Sequence, residues 1–299
     1  MPLRLQVRFH FLRLMRNPAV FLLTLILTVS ARGENATNEF ILVEGGKFKN
    51  PQTNYYLKTA GPNPYVGRVV SVQTFYISKY EVTQKEWQEV MGSTPSSLNG
   101  TNLPVDTVSW YDCIEYCNQR SLKEHLQPYY TIDKATKDSN NHSDSDDIKW
   151  TVSINPGSNG YRLPTEMEWE YASSGGQQSE KYLYSGSDDP DKVAWFYVNS
   201  GDKPMHGLWS RSSVQQNHDR SHSIGAKAAN ELGLYDMSGN VREWVWDWHQ
   251  ADASGPDGRV WKGGGWLGAD FCCATSYRGI FEANGKGPDQ GFRVCRNKQ

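Results

Sequence analysis

What this 299-residue chain has little of narrows what it can be. It has no basic excess: 31 Lys and Arg stand against 33 Asp and Glu, a net charge of -2, which argues against a strongly basic nucleic-acid binder. It has no cysteine before Cys113, so no lipidation site lies near the N-terminus. The five cysteines, Cys113, Cys117, Cys272, Cys273 and Cys295, form no CxxC and no Cys/His spacing that suggests zinc. Beyond residue 31 no stretch of about 18 apolar residues occurs, so no later membrane span is expected. There is no tandem repeat and no convincing linker, which favours one domain. Charged residues make up 21% and hydrophobic ones 37%, a globular composition and not a disordered one.

Aromatic residues, by contrast, are plentiful. Eleven Trp and 16 Tyr suggest either a loop-rich domain whose gaps are filled by rings or a surface built to bind. Residues 1–31 read as an export signal. Arg4, Arg8, Arg13 and Arg16 precede an apolar run from Pro18 to Val29, and Val29-Ser30-Ala31 offers small residues at a cleavage site. The alternative is an uncleaved anchor that associates the chain with a membrane. Loss of this segment removes four basic residues and no acidic one, leaving a charge of about -6. Residues 32–38 are a polar leader, and 39–299 form the domain.

Within the domain, Glu39–Lys49 reads as a strand, a Gly-Gly turn and a second strand start, and Val69–Ser78 as a further strand with Phe75 and Ile77 on one face. Thr83 to Glu86 is a capping box opening a short helix that buries Trp87, Val90 and Met91 and stops near Gly92. Ser109 caps a second helix, about 110–125, with Tyr111, Ile114, Cys117 and Leu122 on one stripe. Residues 134–147 read as a solvated loop. A second capping box, Thr165 to Glu168, starts a third helix, and 176–230 is expected to be irregular. Trp244, Trp246 and Trp248 alternate, so their rings share one strand face and read as core. Val260–Trp266 and Gly291–Cys295 read as strands around an irregular segment, 267–290.

The motifs, in order, are Val43-Glu-Gly-Gly-Lys-Phe, Tyr80-Glu-Val-Thr-Gln-Lys-Glu-Trp87, Pro104-Val-Asp-Thr-Val-Ser-Trp110, Tyr116-Cys-Asn, Gly160-Tyr-Arg-Leu-Pro-Thr-Glu-Met-Glu-Trp-Glu-Tyr-Ala172, Asn230 to Trp244, Lys262-Gly-Gly-Gly-Trp266 and Gly291-Phe-Arg293. Together they resemble the formylglycine-generating enzyme (sulfatase-modifying factor) family over about 39–296. The resemblance implies an α+β, C-type lectin-like fold: a mixed twisted sheet, two main helices and much irregular chain. Active members hold copper with a Cys-x4-Cys pair, because Cu(I) requires soft thiolates. Here the second position is Cys273 and the first is Gly268, so the chain is expected not to be an enzyme and to need no cofactor. The resemblance also implies a structural calcium loop at Asp236, Gly239, Val241 and Glu243, where carboxylates and carbonyls supply hard oxygens. It implies a disulfide between Cys117 and Cys295 as well. Cys295 sits one residue later than the family pattern, which in a strand turns the side chain to the other face, and Cys113 is a rival partner.

A second resemblance overlies the first. The segment 262–293 is similar to that of the variable proteins of Treponema-type diversity-generating retroelements, which use the lectin-like scaffold and vary its C-terminal segment. The resemblance implies an exported ligand-binding protein at the cell surface or in the periplasm. Its ligand would be a protein or surface molecule of a host or neighbouring cell. The variable positions would be Leu267, Gly268, Asp270, Phe271, Cys272, Ala274, Thr275, Tyr277, Gly279, Phe281, Ala283 and Gly285. Phe271, Tyr277 and Phe281 would be the anchors, since rings bring contact area with few rotatable bonds. Trp266, Arg278 and Arg293 would support the scaffold. A formylglycine-generating oxidase and a catalytically dead structural or accessory protein are the alternatives.

Overall fold

A computed structural model describes residues 40–49, 67–206, 209–249 and 258–299. The expected export signal and polar leader lie outside them. Three helices begin in the same way. Thr83, Ser109 and Thr165 each accept a hydrogen bond from the amide three residues on, while Glu86, Asp112 and Glu168 reach back to the cap amide. Each box satisfies two of the amides that a helix start leaves unpaired. The helices are α1 (Gln84–Met91), α2 (Trp110–Lys123) and α3 (Glu166–Ser173). Gly92, left-handed at φ 77°, stops α1. Trp87 of α1 stacks on Tyr116 of α2, with ring centroids 5.3 Å apart and planes within 4°. Leu122 is not on the buried stripe of α2; it is 54% exposed.

The strands fall into four sheets. β1 (Phe40–Val43), β4 (Phe75–Ser78) and β11 (Cys295–Asn297) form an antiparallel trio with β4 in the centre. β2 (Gly46–Lys49) pairs with β3 (Val69–Val72), and β5 (Tyr130–Lys137) with β6 (Trp150–Ile154). The fourth sheet runs β10-β7-β8-β9: β10 (Gln290–Gly291), β7 (Arg242–Trp248), β8 (Arg259–Lys262) and β9 (Gly279–Phe281). β10 lies parallel to β7 and the others are antiparallel, so this sheet is mixed. The expected single strand 69–78 is two strands in different sheets, broken at Gln73-Thr74. Thr74 Oγ1 there accepts from the Gly45 amide. Phe75 and Ile77 are buried together, as their alternation implies. Residues 176–230 are largely irregular, with short helices at Pro190–Val193 and Arg211–Gln216.

The β10-β7-β8-β9 sheet divides the interior. Trp244 is fully buried, and Trp246 and Trp248 pack against the same cluster as Trp110, Tyr111 and Trp261. Val245 belongs to the cluster on the other side, with Trp169, Val260 and Ile77. The tryptophan alternation therefore does define one face. Between its rings lies Arg259, whose guanidinium is 3.6 Å from the Trp110 centroid and 3.7 Å from that of Trp248. The run 134–147 differs from expectation. Its start belongs to β5, and Asn141, Ser143 and Asp146 are buried, because Asp146 accepts from Tyr111 Oη at 2.9 Å and from Asn141 Nδ2 at 2.6 Å.

The opposite face of β7 carries Glu243 and Asp247. Asp247 accepts from the Glu166 amide at the start of α3, at 2.6 Å. Burial, and then the charge of Glu166, pushes its carboxyl up to about 7. An acid raised in the folded state favours folding at low pH, and that contribution fades between about pH 4 and 7. Asp247→Asn keeps the acceptor and removes the charge. In urea unfolding the variant should gain on the wild type between pH 5 and pH 8, by roughly 1–4 kcal/mol for a displacement of this size. An unchanged difference would show that the ionised carboxylate is already compensated by Arg278.

Candidate functional site

The chain from β8 to β10 is built over this sheet. After Lys262 it turns through Gly263 and Gly264, at φ 83° and 68°. A Cβ on Gly264 would lie 2.8 Å from the Cys272 carbonyl and from Cys273 Sγ, so only glycine lets the next turn fold back. That turn, Asp270–Cys273, is one stretch of 3-10 helix. The segment re-enters the sheet as β9, where a Cβ on Gly279 would lie 2.0 Å from the Trp261 ring. Trp266 Nε1 donates to the Pro288 carbonyl, and its amide to Asn240. Asn284 Nδ2 donates to Asp147 at 2.9 Å and to the Ser145 carbonyl at 3.3 Å. Thr275 takes the other end, its amide donating to the Leu183 carbonyl.

Beneath the segment is a network of buried charge. Arg278 makes a two-pronged contact with Glu166, at 2.8 and 2.9 Å, and Nη1 donates to His249 Nδ1 at 2.9 Å. Lys262 Nζ donates to Glu170 at 2.6 Å. Burial pushes the Glu170 carboxyl up to about 7 even though the Lys262 charge opposes it. Arg293 grips Glu243 through Nε and Nη2 at 2.7–2.9 Å, and Trp169 Nε1 donates to the same carboxylate at 2.6 Å. Spacing could have revealed the network: Glu166 and Glu170 are one helical turn apart, and Glu243 and Asp247 alternate with the tryptophans.

Comparison with known proteins fits this frame. The pattern of the FGE-sulfatase family, the sulfatase-modifying factor enzyme 1-like domain, matches residues 27–298. The chain belongs to this family. Chaperone protein LppX of Paenibacillus barcinonensis is 50% identical over 291 residues, 95% of this chain and 100% of LppX. Inactive C-alpha-formylglycine-generating enzyme 2 of Mus musculus is 26% identical over 216 residues, 70% of this chain; the match spans 54% of the mouse protein's length. Among solved structures, Treponema denticola variable protein 1 superposes with a TM-score of 0.69 and 30% identity, over 87% of this chain and 95% of that one. The α+β, C-type lectin-like architecture of the family is thus the fold of this chain.

The family's copper site does not fit these residues. Gly268 has no thiolate, and Cys273 is wholly buried, with its thiol pushed well above the usual range by burial. The calcium set does not fit either. Both Glu243 oxygens are bonded to Arg293 or Trp169, and Asp236 accepts from the Gly225 amide at 2.7 Å. Gly239 and Val241 sit in the same loop, where the Val241 amide donates to Glu81. The cation among these acids is Arg293, and no group of three or more His, Cys, Asp or Glu that could hold a metal occurs among the described residues. The Cys117–Cys295 disulfide is not formed: all five cysteines are free. Cys295 packs in a different hydrophobic cluster from Cys117.

The twelve expected binding positions divide. Asp270 is exposed, and Leu267, Gly268, Phe271, Cys272, Phe281 and Gly285 are half-buried at the surface. Ala274, Thr275, Tyr277, Gly279 and Ala283 are buried. Tyr277 is therefore not a surface anchor. It leans on Trp261 and Phe271, with centroids 5.6 and 5.9 Å away, because β9 draws the chain back under Trp261. Trp266, half-buried, and the buried Arg278 and Arg293 do support the scaffold through the contacts above.

Room for a side chain exists at position 268. A Cβ there would be a close fit, 3.3 Å from the Gly265 carbonyl oxygen, and 3.5 Å from Cys272 Cβ, inside the range of disulfides. Gly268→Cys should therefore form a cross-link to Cys272 under mild oxidation, read as a mass loss of about 2 Da by intact-protein spectrometry. Peptide mapping should leave Cys273 as a free thiol. A 268–273 bond instead would show that the turn re-forms a family-like pair.

Proposed function

We propose that this is an exported, non-catalytic binding protein, displayed at the cell surface or in the periplasm, that holds another polypeptide on the segment 267–285. One observation carries the reading. The segment presents Leu267, Phe271 and Phe281 at the surface while Trp266, Arg278 and Arg293 pin its backbone to a buried frame. A fixed backbone with adaptable side chains is suited to recognition, because little ordering entropy is lost on binding. Likeness to a variable protein supports this use of the scaffold, and the segment's composition is consistent with retroelement diversification. The name chaperone on a relative that is 50% identical favours a polypeptide as the ligand. Absence of a thiolate at 268 supports a role without catalysis, and no cofactor is needed for it.

The test is a photo-crosslinking amino acid placed at Phe271 and, as a control, at the exposed Leu122. Adducts with secreted or surface proteins should form at 271 and not at 122. Equal adducts at both positions would remove the site. In parallel, a Cys-x-Pro-x-Arg peptide with Cu(I) and oxygen should yield no aldehyde; turnover would restore the oxidase reading. Template repeats of the 262–293 coding segment in the source genome would bear on diversification separately.

A further inference from the structure

We propose that the face around residues 270–285 takes an extended polypeptide segment that carries basic and apolar side chains together. This rests on the binding reading above and specifies the partner's chemistry. Two contacts define the ends of the face. At one end Thr275 is bonded to Leu183, so Tyr182 and Leu183 border the segment, and both are exposed, at 39% and 38%. At the other end Asn284 is bonded to Asp147, so the loop 144–147 borders it. Phe271 and Phe281 of the segment are half-buried, Phe271 against Tyr277 and Phe281 against Trp244. An apolar strip of this kind, rimmed by polar groups, marks an interaction surface.

The sign of the rim selects the partner. Asp144, Asp147, Asp188 and Asp270 are all exposed, and Glu282 is half-buried. The hydrogen bonds that Asp147 and Asp188 accept come from neutral donors, Asn284 Nδ2 and the Leu183 amide, which leave their charge in place. The nearby bases answer less. Lys286 is drawn to Asp112 at 2.7 Å and Lys192 to Asp189 at 3.5 Å, while Lys149, two residues from Asp147, and the exposed Lys181 stand beside four exposed aspartates. An acidic rim around an apolar centre repels acidic segments and attracts basic ones, and charges at the rim act on encounter and specificity.

Three labelled ten-residue peptides, alternating Lys–Leu, Ser–Leu and Glu–Leu, test this by fluorescence anisotropy with the purified full chain. The Lys–Leu peptide should bind about tenfold more tightly than Ser–Leu, with Glu–Leu weakest. The gap should close as salt rises from about 50 to 500 mM. A variant with Asp144→Asn, Asp147→Asn, Asp188→Asn and Asp270→Asn keeps the acceptors and should bring Lys–Leu down to the level of Ser–Leu on the same variant. Equal binding of Glu–Leu, or a Lys–Leu preference untouched by the four changes, overturns the partner assignment and leaves the binding surface standing. Failure of Lys–Leu to bind also overturns the assignment, and cross-linking at 271 then decides the surface by itself. If Leu183→Ser with Phe271→Ser alters the binding of no peptide, the face itself is lost, and with it the reading beneath.

Discussion

The ion pair between Arg293 and Glu243 is the constraint on which the rest of the domain depends. Neither side chain has exposed surface. The guanidinium also donates to the carbonyls of Ser78, at the end of β4, and Tyr235, while Glu243 receives Trp169 from α3. One contact thus joins the final chain segment, the central sheet, the outer sheet and a helix. Such a pair is weak evidence for net stability, since two ions must be stripped of water; but removing one partner strands a buried charge, at roughly 3–5 kcal/mol. Its value lies in specification: a planar fork with several donors admits one arrangement of the four elements around it. Surrounding acids sharpen the demand. Burial, and then Asp236 and Glu243, pushes the Glu81 carboxyl well above its usual range, and Asp236 is raised to about 6, chiefly by burial. The loop 236–243 is acidic around a cation, and the chain supplies that cation itself.

From that pair the sheet acquires two unlike faces. Odd positions of β7, Glu243, Val245 and Asp247, meet α3 and its acids, where Lys262, Arg278 and Arg293 balance charge. Even positions, Trp244, Trp246 and Trp248, meet α2 and enclose Arg259. Charge gathers on the α3 side, and on the other side large rings surround Arg259. The segment 263–290 crosses from one regime to the other. Arg278 anchors it among the acids, and Tyr277 lodges it among the rings. Its exposed residues are the ones that neither anchor uses.

Much of this was legible in the sequence for local reasons. Capping boxes at Thr83 and Thr165, the Ser109 cap and the alternation of the tryptophans follow rules that operate within one turn or one strand, so neighbours in sequence suffice to read them. The order of the family motifs fixed the architecture. What escaped were facts set by distant partners. The break at Gln73 is imposed by Gly45, in the turn between β1 and β2. Asp146 looks like one acid in a solvated run until Tyr111 is brought to it. Tyr277 has the residue type of a binding anchor, yet Gly279, two positions on, lets Trp261 draw the chain inward. In such a segment residue type does not tell outside from inside, because large aromatics serve both.

The same reasoning bears on how the scaffold stands without the copper pair. A copper site needs two thiolates at one point, and one substitution, Gly at 268, removes one of them. The frame that would have positioned them does not depend on the metal. Gly264 still admits the turn, Cys273 still fills the space beneath it, and Arg278 and Arg293 still hold the ends. Because the frame is specified by buried pairs and rings remote from position 268, the surface turn carries little structural duty at its outer positions. Side chains there can change without disturbing the fold, whereas Gly264, Gly279 and Tyr277 cannot. A rigid support under replaceable surface residues is what recognition requires, and here it follows from where the domain keeps its charge.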